Sequence, residues 1–211
     1  MDIELFARGL VIGLAIAAPV GPIGLLCIRR SLADGFPLGF LTGLGAAAAD
    51  GVYGAIAAFG LTAVSSFLVA QQRWLALGGG LALLWLGWQS IRRPPADTAA
   101  DGGGNTSRAG AFASTFVLTL ANPATILSFV AVFAGLGLAG STGGDTAAAM
   151  TLVAGVVLGS AAWWLFLAGA TAALRRQVPA GAIRWINYLS GAILAGFGAM
   201  AIWAALSSAL P

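Results

Sequence analysis

The sequence predicts an all-α integral membrane protein of six transmembrane helices arranged as two inverted three-helix repeats. Three observations carry that prediction: an apolar composition, six long apolar stretches, and a glycine pattern in the third stretch that recurs in the sixth. Of 211 residues, 59% are hydrophobic and 8% are charged, against about 25% charged in an average soluble domain. That inventory cannot cover a water-facing surface, so a bilayer must be the solvent.

The apolar stretches fall at 5–28, 37–69, 74–91, 111–138, 146–174 and 185–208, each long enough to cross about 30 Å of hydrocarbon. The first reads as a retained helix rather than a cleaved signal peptide, because Asp2 and Glu4 precede Arg8 and the apolar run continues to Ile28. The second is long enough to tilt, or to break near Ser65 and Ser66. After the third comes 92–110, a hydrophilic stretch with Pro94, Pro95 and three glycines at 102–104, which lacks the apolar surface to fold alone. It divides the chain into a first repeat at 1–91, a flexible cytoplasmic linker at 92–110 and a second repeat at 111–211. The sixth stretch repeats the third in one register: Arg73-Trp74, Gly80 and Gly87 against Arg184-Trp185, Gly191 and Gly198. Three helices per half is an odd number, so the halves lie in opposite orientation, as in many secondary transporters. Small residues let helices approach closely in lipid, which makes Gly39, Gly43, Gly45, Gly191, Gly196 and Gly198 expected contact positions.

Arginines set the topology. The loops after the first, third and fifth stretches hold Arg29, Arg30, Arg92, Arg93, Arg108, Arg175, Arg176 and Arg184, while the other side holds Arg8 and Arg73. The positive-inside rule puts the linker in the cytoplasm and both termini outside. Arginines used this way do not suggest nucleic acid as a partner.

The chemistry is narrow. Cys27 is the single cysteine and histidine is absent, which excludes an internal disulfide, a paired-cysteine redox site and the commonest metal ligand. No nucleophile and base set occurs, so neither an enzyme nor a cofactor site is expected.

Helix one contains Ala18-Pro19-Val20-Gly21-Pro22 inside its apolar run. Pro19 and Pro22 remove two backbone donors and Gly21 loosens the segment, so the helix should break there, facing protein or a water-filled cavity. The half-helix starting near Pro22 would point its positive end at the break, suiting a carboxylate. Helix four carries Asn122-Pro123 at the corresponding place, and paired interruptions are the best sequence pointer to a transport site. Asn122 could hold an ammonium or a carboxylate, or cap the second half-helix. Asp50 is the one ionisable group deep in a helix, about 20 Å along the second span. Such an acid is functional by default. It either pairs with a substrate ammonium or takes and releases a proton to couple transport, with a purely structural bond to Tyr53 or Asn122 as the other reading. Trp163 and Trp164 answer Asp50 in the second half if Gly45 and Gly159 are matched, and a ring there could offer a cation–π face to an amine.

These residues together resemble the lysine-exporter (LysE-type) family of small bacterial amino-acid exporters. The resemblance rests on Ala18-Pro19-Val20-Gly21-Pro22-Ile23-Gly24, Arg29-Arg30-Ser31-Leu32 followed by Gly35, Gly43-Leu44-Gly45 to Asp50, Gly60-Leu61, and Leu120-Ala121-Asn122-Pro123. It implies amino-acid export from the cytoplasm through the inner membrane, driven by an ion gradient, with Pro19, Gly21, Pro22, Asp50, Asn122 and Pro123 along the pathway. Many relatives carry a lysine after the Asn-Pro pair; here Ala124 stands there, which leaves the substrate open. The expected partners are a small-molecule amino acid and the lipid bilayer, with monomer and homodimer both open. Two alternatives are a divalent-metal exporter of similar fold, for which one buried Asp and one Cys supply few ligands, and a non-transporting membrane scaffold.

Overall fold

The structure, a computed structural model, describes residues 2–19, 21–60, 62–92, 107–135, 145–175 and 180–207. The described residues form the helices α1 (Ile3–Ala17), α2 (Pro22–Asp34), α3 (Phe36–Ala58), α4 (Thr62–Ala70), α5 (Gln72–Arg92), α6 (Arg108–Leu120), α7 (Pro123–Gly135), α8 (Thr146–Leu174) and α9 (Ala180–Ser207). Helices α3, α5, α8 and the 185–207 part of α9 are each long and apolar enough to cross a membrane. The bent pairs α1–α2 and α6–α7 raise the number of spans to six if each pair is one crossing. The linker at 92–110 lies outside the described residues except at its two ends, as do Arg93 and Arg176 and the side chain of Arg184.

Helix starts follow local chemistry. Asp2 caps α1 by accepting from the Glu4 and Leu5 amides at 3.0 and 3.2 Å, Ser107 caps α6 through the Gly110 amide at 3.0 Å, and Asp145 caps α8 through Ala147 and Ala148. Each supplies an acceptor to first-turn donors that have no partner inside the helix.

The second span breaks earlier than the sequence suggests. Its interruption is at Gly60, whose φ of 64° is open to glycine at little cost, and not at Ser65 and Ser66, which lie within α4. A second correction concerns Arg29 and Arg30. They are not in a loop: α2 runs on to Asp34, and both side chains are buried, at 5% and 4% exposure. Arg30 donates to Thr42 Oγ1 at 2.9 Å on α3, and to Ala111 O and Ser114 Oγ, each at 3.1 Å, on α6. Arg29 donates to Ser90 Oγ on α5. Taking a guanidinium with five fixed donors out of water costs least where several acceptors meet it, as they do Arg30. At the same end of the molecule, Arg175 at the close of α8 donates to Ala33 O at 3.1 Å.

Between the helices, glycines bring backbones together. On α5 and α9 the contact is reciprocal. A Cβ at Gly80 would meet Gly198 O at 2.8 Å and one at Gly198 would meet Gly80 O at 2.7 Å; Gly87 and Gly191 oppose each other in the same way, each at 2.7 Å. Along α1 and α8, a Cβ on Gly9 would lie 3.1 Å from the Gly155 Cα, and one on Gly155 would lie 3.0 Å from the Gly9 Cα. Gly45 faces the backbone of Phe112 and Phe116 on α6, Gly43 faces the Trp164 ring, and Gly39 faces Ser31. Such contacts place dispersion attraction where lipid offers no hydrophobic drive. Gly196 is the exception to the expected set, since a Cβ there would meet nothing within 4 Å.

Candidate functional site

The two helix breaks form as their residues dictate. Helix α1 ends where the Ala18 amide bonds Leu14 O at 2.9 Å, and Pro19 has no donor to carry the ladder on. Gly21 is extended at φ −105° and ψ −160°, and α2 restarts with Pro22 in its first turn, at 81° to α1. No side chain caps α2, so its first free amides, those of Ile23 and Gly24, point into the break. In the second break α6 closes with Ala121 N bonded to Val117 O at 2.9 Å, and α7 departs at 62°. Here a cap is present: Asn122 Oδ1 accepts from the Ala124 amide at 3.1 Å. That leaves the Asn122 carboxamide nitrogen as a donor.

The breaks share one open cleft of about 330 Å³, a volume that includes the space at its mouth, lined by Pro22 and Ile23 of the first and Ala121 and Asn122 of the second. Ala76, Gly79, Gly80 and Leu83 of α5 form a wall, with Leu118 and Ala201 completing it. A Cβ on Gly21 would meet nothing within 4 Å, so the first break opens onto space and not onto packed neighbours. Pro19 is exposed. Helix α7 begins at Pro123, a residue suited to a first turn whose amides lack partners in any case.

Asp50 does not line this cleft. It is 3% exposed on α3 and accepts from Ser160 Oγ on α8 at 2.7 Å, while Ser160 Oγ accepts from Trp164 Nε1 at 3.1 Å. The three form a buried relay across the two halves of the sequence. Neither Tyr53 nor Asn122 is its partner. Tyr53 O–H donates instead to Leu120 O at 2.5 Å, fixing α3 against the last turn of α6 just before the second break, and its ring packs at a tilt against Phe129 with centroids 5.5 Å apart. Trp164 is buried at 4% exposure; Trp163 is partly buried and leans on Phe166, with ring centroids 5.7 Å apart. Among the described residues no three of His, Cys, Asp and Glu come together as a metal site would need.

The candidate residues thus fall into two places. Pro22 and Asn122 meet at the cleft, whereas Asp50 and Trp164 meet in the relay, with Tyr53 fixing the wall beside the second break. Sequence reasoning missed Ser160. The signal was there: it is the one serine in the fifth span, a turn before Trp164, so it shares a helix face with it.

Comparison with known proteins identifies the family. The LysE type translocator profile matches residues 14–204. A proposed amino acid efflux protein of Bacillus subtilis (strain 168), YcgF, is 31% identical over 92% of this chain and 93% of its own length. The threonine efflux protein of Escherichia coli (strain K12) is 30% identical over 70% of this chain and 72% of its own, and the membrane protein YahN of the same organism, which is uncharacterized, is 32% identical over 68% of this chain. No solved structure matches. With a translocator profile spanning nearly all of the membrane-crossing helices, this multi-pass membrane protein belongs to the LysE type translocator family.

Proposed function

We propose that the protein is a secondary transporter that exports an amino acid, or a similar small zwitterion, across the bacterial inner membrane in exchange for protons. The observation that carries this reading is the meeting of two interrupted helices at one cleft. Interrupted spans survive in a bilayer only where they face protein or water, and they present backbone charge to a substrate at mid-membrane. The uncapped amides at the start of α2 and the Asn122 carboxamide nitrogen suit a carboxylate. The terminal carbonyls of α1 and α6 end at the same breaks and suit an ammonium. Amino acid efflux is the activity named for YcgF and for the threonine efflux protein.

Asp50 is the proposed coupling site. Its carboxylate is set apart from the cleft and held by one hydroxyl, so it can take a proton without competing for the substrate. Ser160 and Trp164 belong to the second half and Asp50 to the first, so a change of protonation acts on the junction between halves.

The halves are proposed to be inverted repeats. If Gly80 corresponds to Gly191 and Gly87 to Gly198, the contacts join Gly80 to Gly198 and Gly87 to Gly191, the crossed pairing that a two-fold axis generates. Likewise Gly45 against the Phe112 carbonyl is answered by Gly159 against the Leu10 carbonyl. With Arg29 and Arg30 withdrawn into the helices, six arginines still stand against two in favour of a cytoplasmic linker and external termini.

The test is efflux from proteoliposomes loaded with labelled amino acids, with and without an imposed pH gradient. The reading expects release that the gradient accelerates in the wild type and not in Asp50→Asn. Release no faster than from empty liposomes, with protein in either orientation, would overturn it.

A further inference from the structure

We propose that the cleft selects neutral amino acids with short aliphatic side chains, and that Gly79 sets the upper limit on side-chain size; this rests on the cleft being the substrate site. Among the described residues no charged side chain lines the cleft, and the buried acid Asp50 is engaged elsewhere with Ser160. A lysine ammonium or a glutamate carboxylate in the cleft would have only the Asn122 side chain and the broken backbone to answer it, and those serve the zwitterion common to all amino acids. A buried charge without a partner is strongly disfavoured. The remaining wall is aliphatic: Ala76, Leu83, Leu118 and Ala201, with Gly79 between them.

Three consecutive glycines on α5 differ in what surrounds them. Gly80 is required by packing, because a Cβ there would press on Ile202 Cγ1 at 2.7 Å and on Gly198 O at 2.8 Å. Gly78 is exposed and a Cβ on it would meet nothing within 4 Å. Gly79, like Gly80, lines the cleft, but it is not held by the α5–α9 seam. Its added Cβ would make ordinary contact with Ala121, 3.5 Å from the carbonyl oxygen and 3.6 Å from the methyl. Neither packing nor backbone conformation therefore demands glycine at 79, and alanine is the better helix former. What a larger residue would remove is cleft volume opposite the second break, where a substrate side chain lies against α5.

The experiment is transport by purified protein in proteoliposomes of labelled alanine, valine, leucine, lysine and glutamate, for wild type, Gly79→Ala, Gly79→Val and the exposed control Gly78→Ala. Size-exclusion elution and thermal stability are followed for every variant, and the milder Gly79→Ala substitution carries the result if Gly79→Val does not fold. The expected result is wild-type preference for the neutral aliphatic substrates, with the largest accepted one lost by about tenfold or more on narrowing the wall. Alanine transport should persist, and Gly78→Ala should behave as wild type. Equal loss or equal retention of all substrates in folded Gly79 variants would overturn the role of Gly79 while leaving amino-acid export intact. Wild-type preference for lysine or glutamate would overturn the substrate class. Absence of transport of any of the five by folded wild type would remove the export reading and this inference with it.

Discussion

Asp50 owes its position to a single short contact, and that contact separates charge from shape. Asp50→Asn keeps the volume and can still meet Ser160 Oγ, so the protein should insert and fold while its export stops responding to a pH gradient in proteoliposomes. Ser160→Ala removes the donor and leaves the carboxylate buried without a side-chain partner, which costs on the order of 1–3 kcal/mol. Lower thermal stability together with altered gradient dependence is expected, and a calorimetric or fluorescence melt beside the transport assay would check it. At the second break, Asn122→Ala should lose the cap on the Ala124 amide, at about 1 kcal/mol. If Asn122 also meets substrate, half-saturation for export should rise more than that modest destabilisation explains.

At the level of helices, stability rests on backbones in contact. The α5–α9 seam leaves no space for a side chain at Gly80, Gly87, Gly191 or Gly198, and forcing one in costs about 1–3 kcal/mol in a packed interior. Gly80→Val and Gly198→Val should each lower the melting temperature in detergent, whereas Gly196→Val, where an added Cβ meets nothing within 4 Å, should leave it unchanged. Arg73 and Arg92 mark the two ends of α5, each over a tryptophan, with the Arg92 guanidinium 4.1 Å from the Trp88 ring centroid and that of Arg73 5.7 Å from the Trp74 ring. Paired cations and aromatics at both ends hold such a helix at fixed depth in the bilayer.

Across the whole molecule, the two halves are joined at one end by Arg30 and Arg175, whose bonds run from α2 to α6 and from α8 to the end of α2. Arg30→Ala removes a buried, charge-assisted network and should destabilise by on the order of 3 kcal/mol, read as a fall in melting temperature larger than for any single glycine on the α5–α9 seam. Orientation is open to direct measurement. With Cys27→Ala as background, Arg108→Cys should react with a membrane-impermeant maleimide only from the cytoplasmic side; labelling from outside would reverse the proposed topology.

Hydrophobic length, proline and glycine were enough for the sequence to determine the long apolar helices and the breaks at Pro19 to Pro22 and at Asn122-Pro123. These are local properties: a run of apolar residues needs a bilayer, and a proline cannot continue the hydrogen-bond ladder wherever it lies. The range 146–174 was legible to the residue, because an aspartate cap fixes its start. Tertiary structure alone decided which polar groups meet. Ser160 lies 110 residues from Asp50, and nothing along the chain records that α3 and α8 cross there. Arg29 and Arg30 resemble loop residues by composition, yet acceptors on α3, α5 and α6 allow them inside. The cleft likewise exists only once α5 is laid against both breaks, since an empty volume belongs to no single segment of sequence.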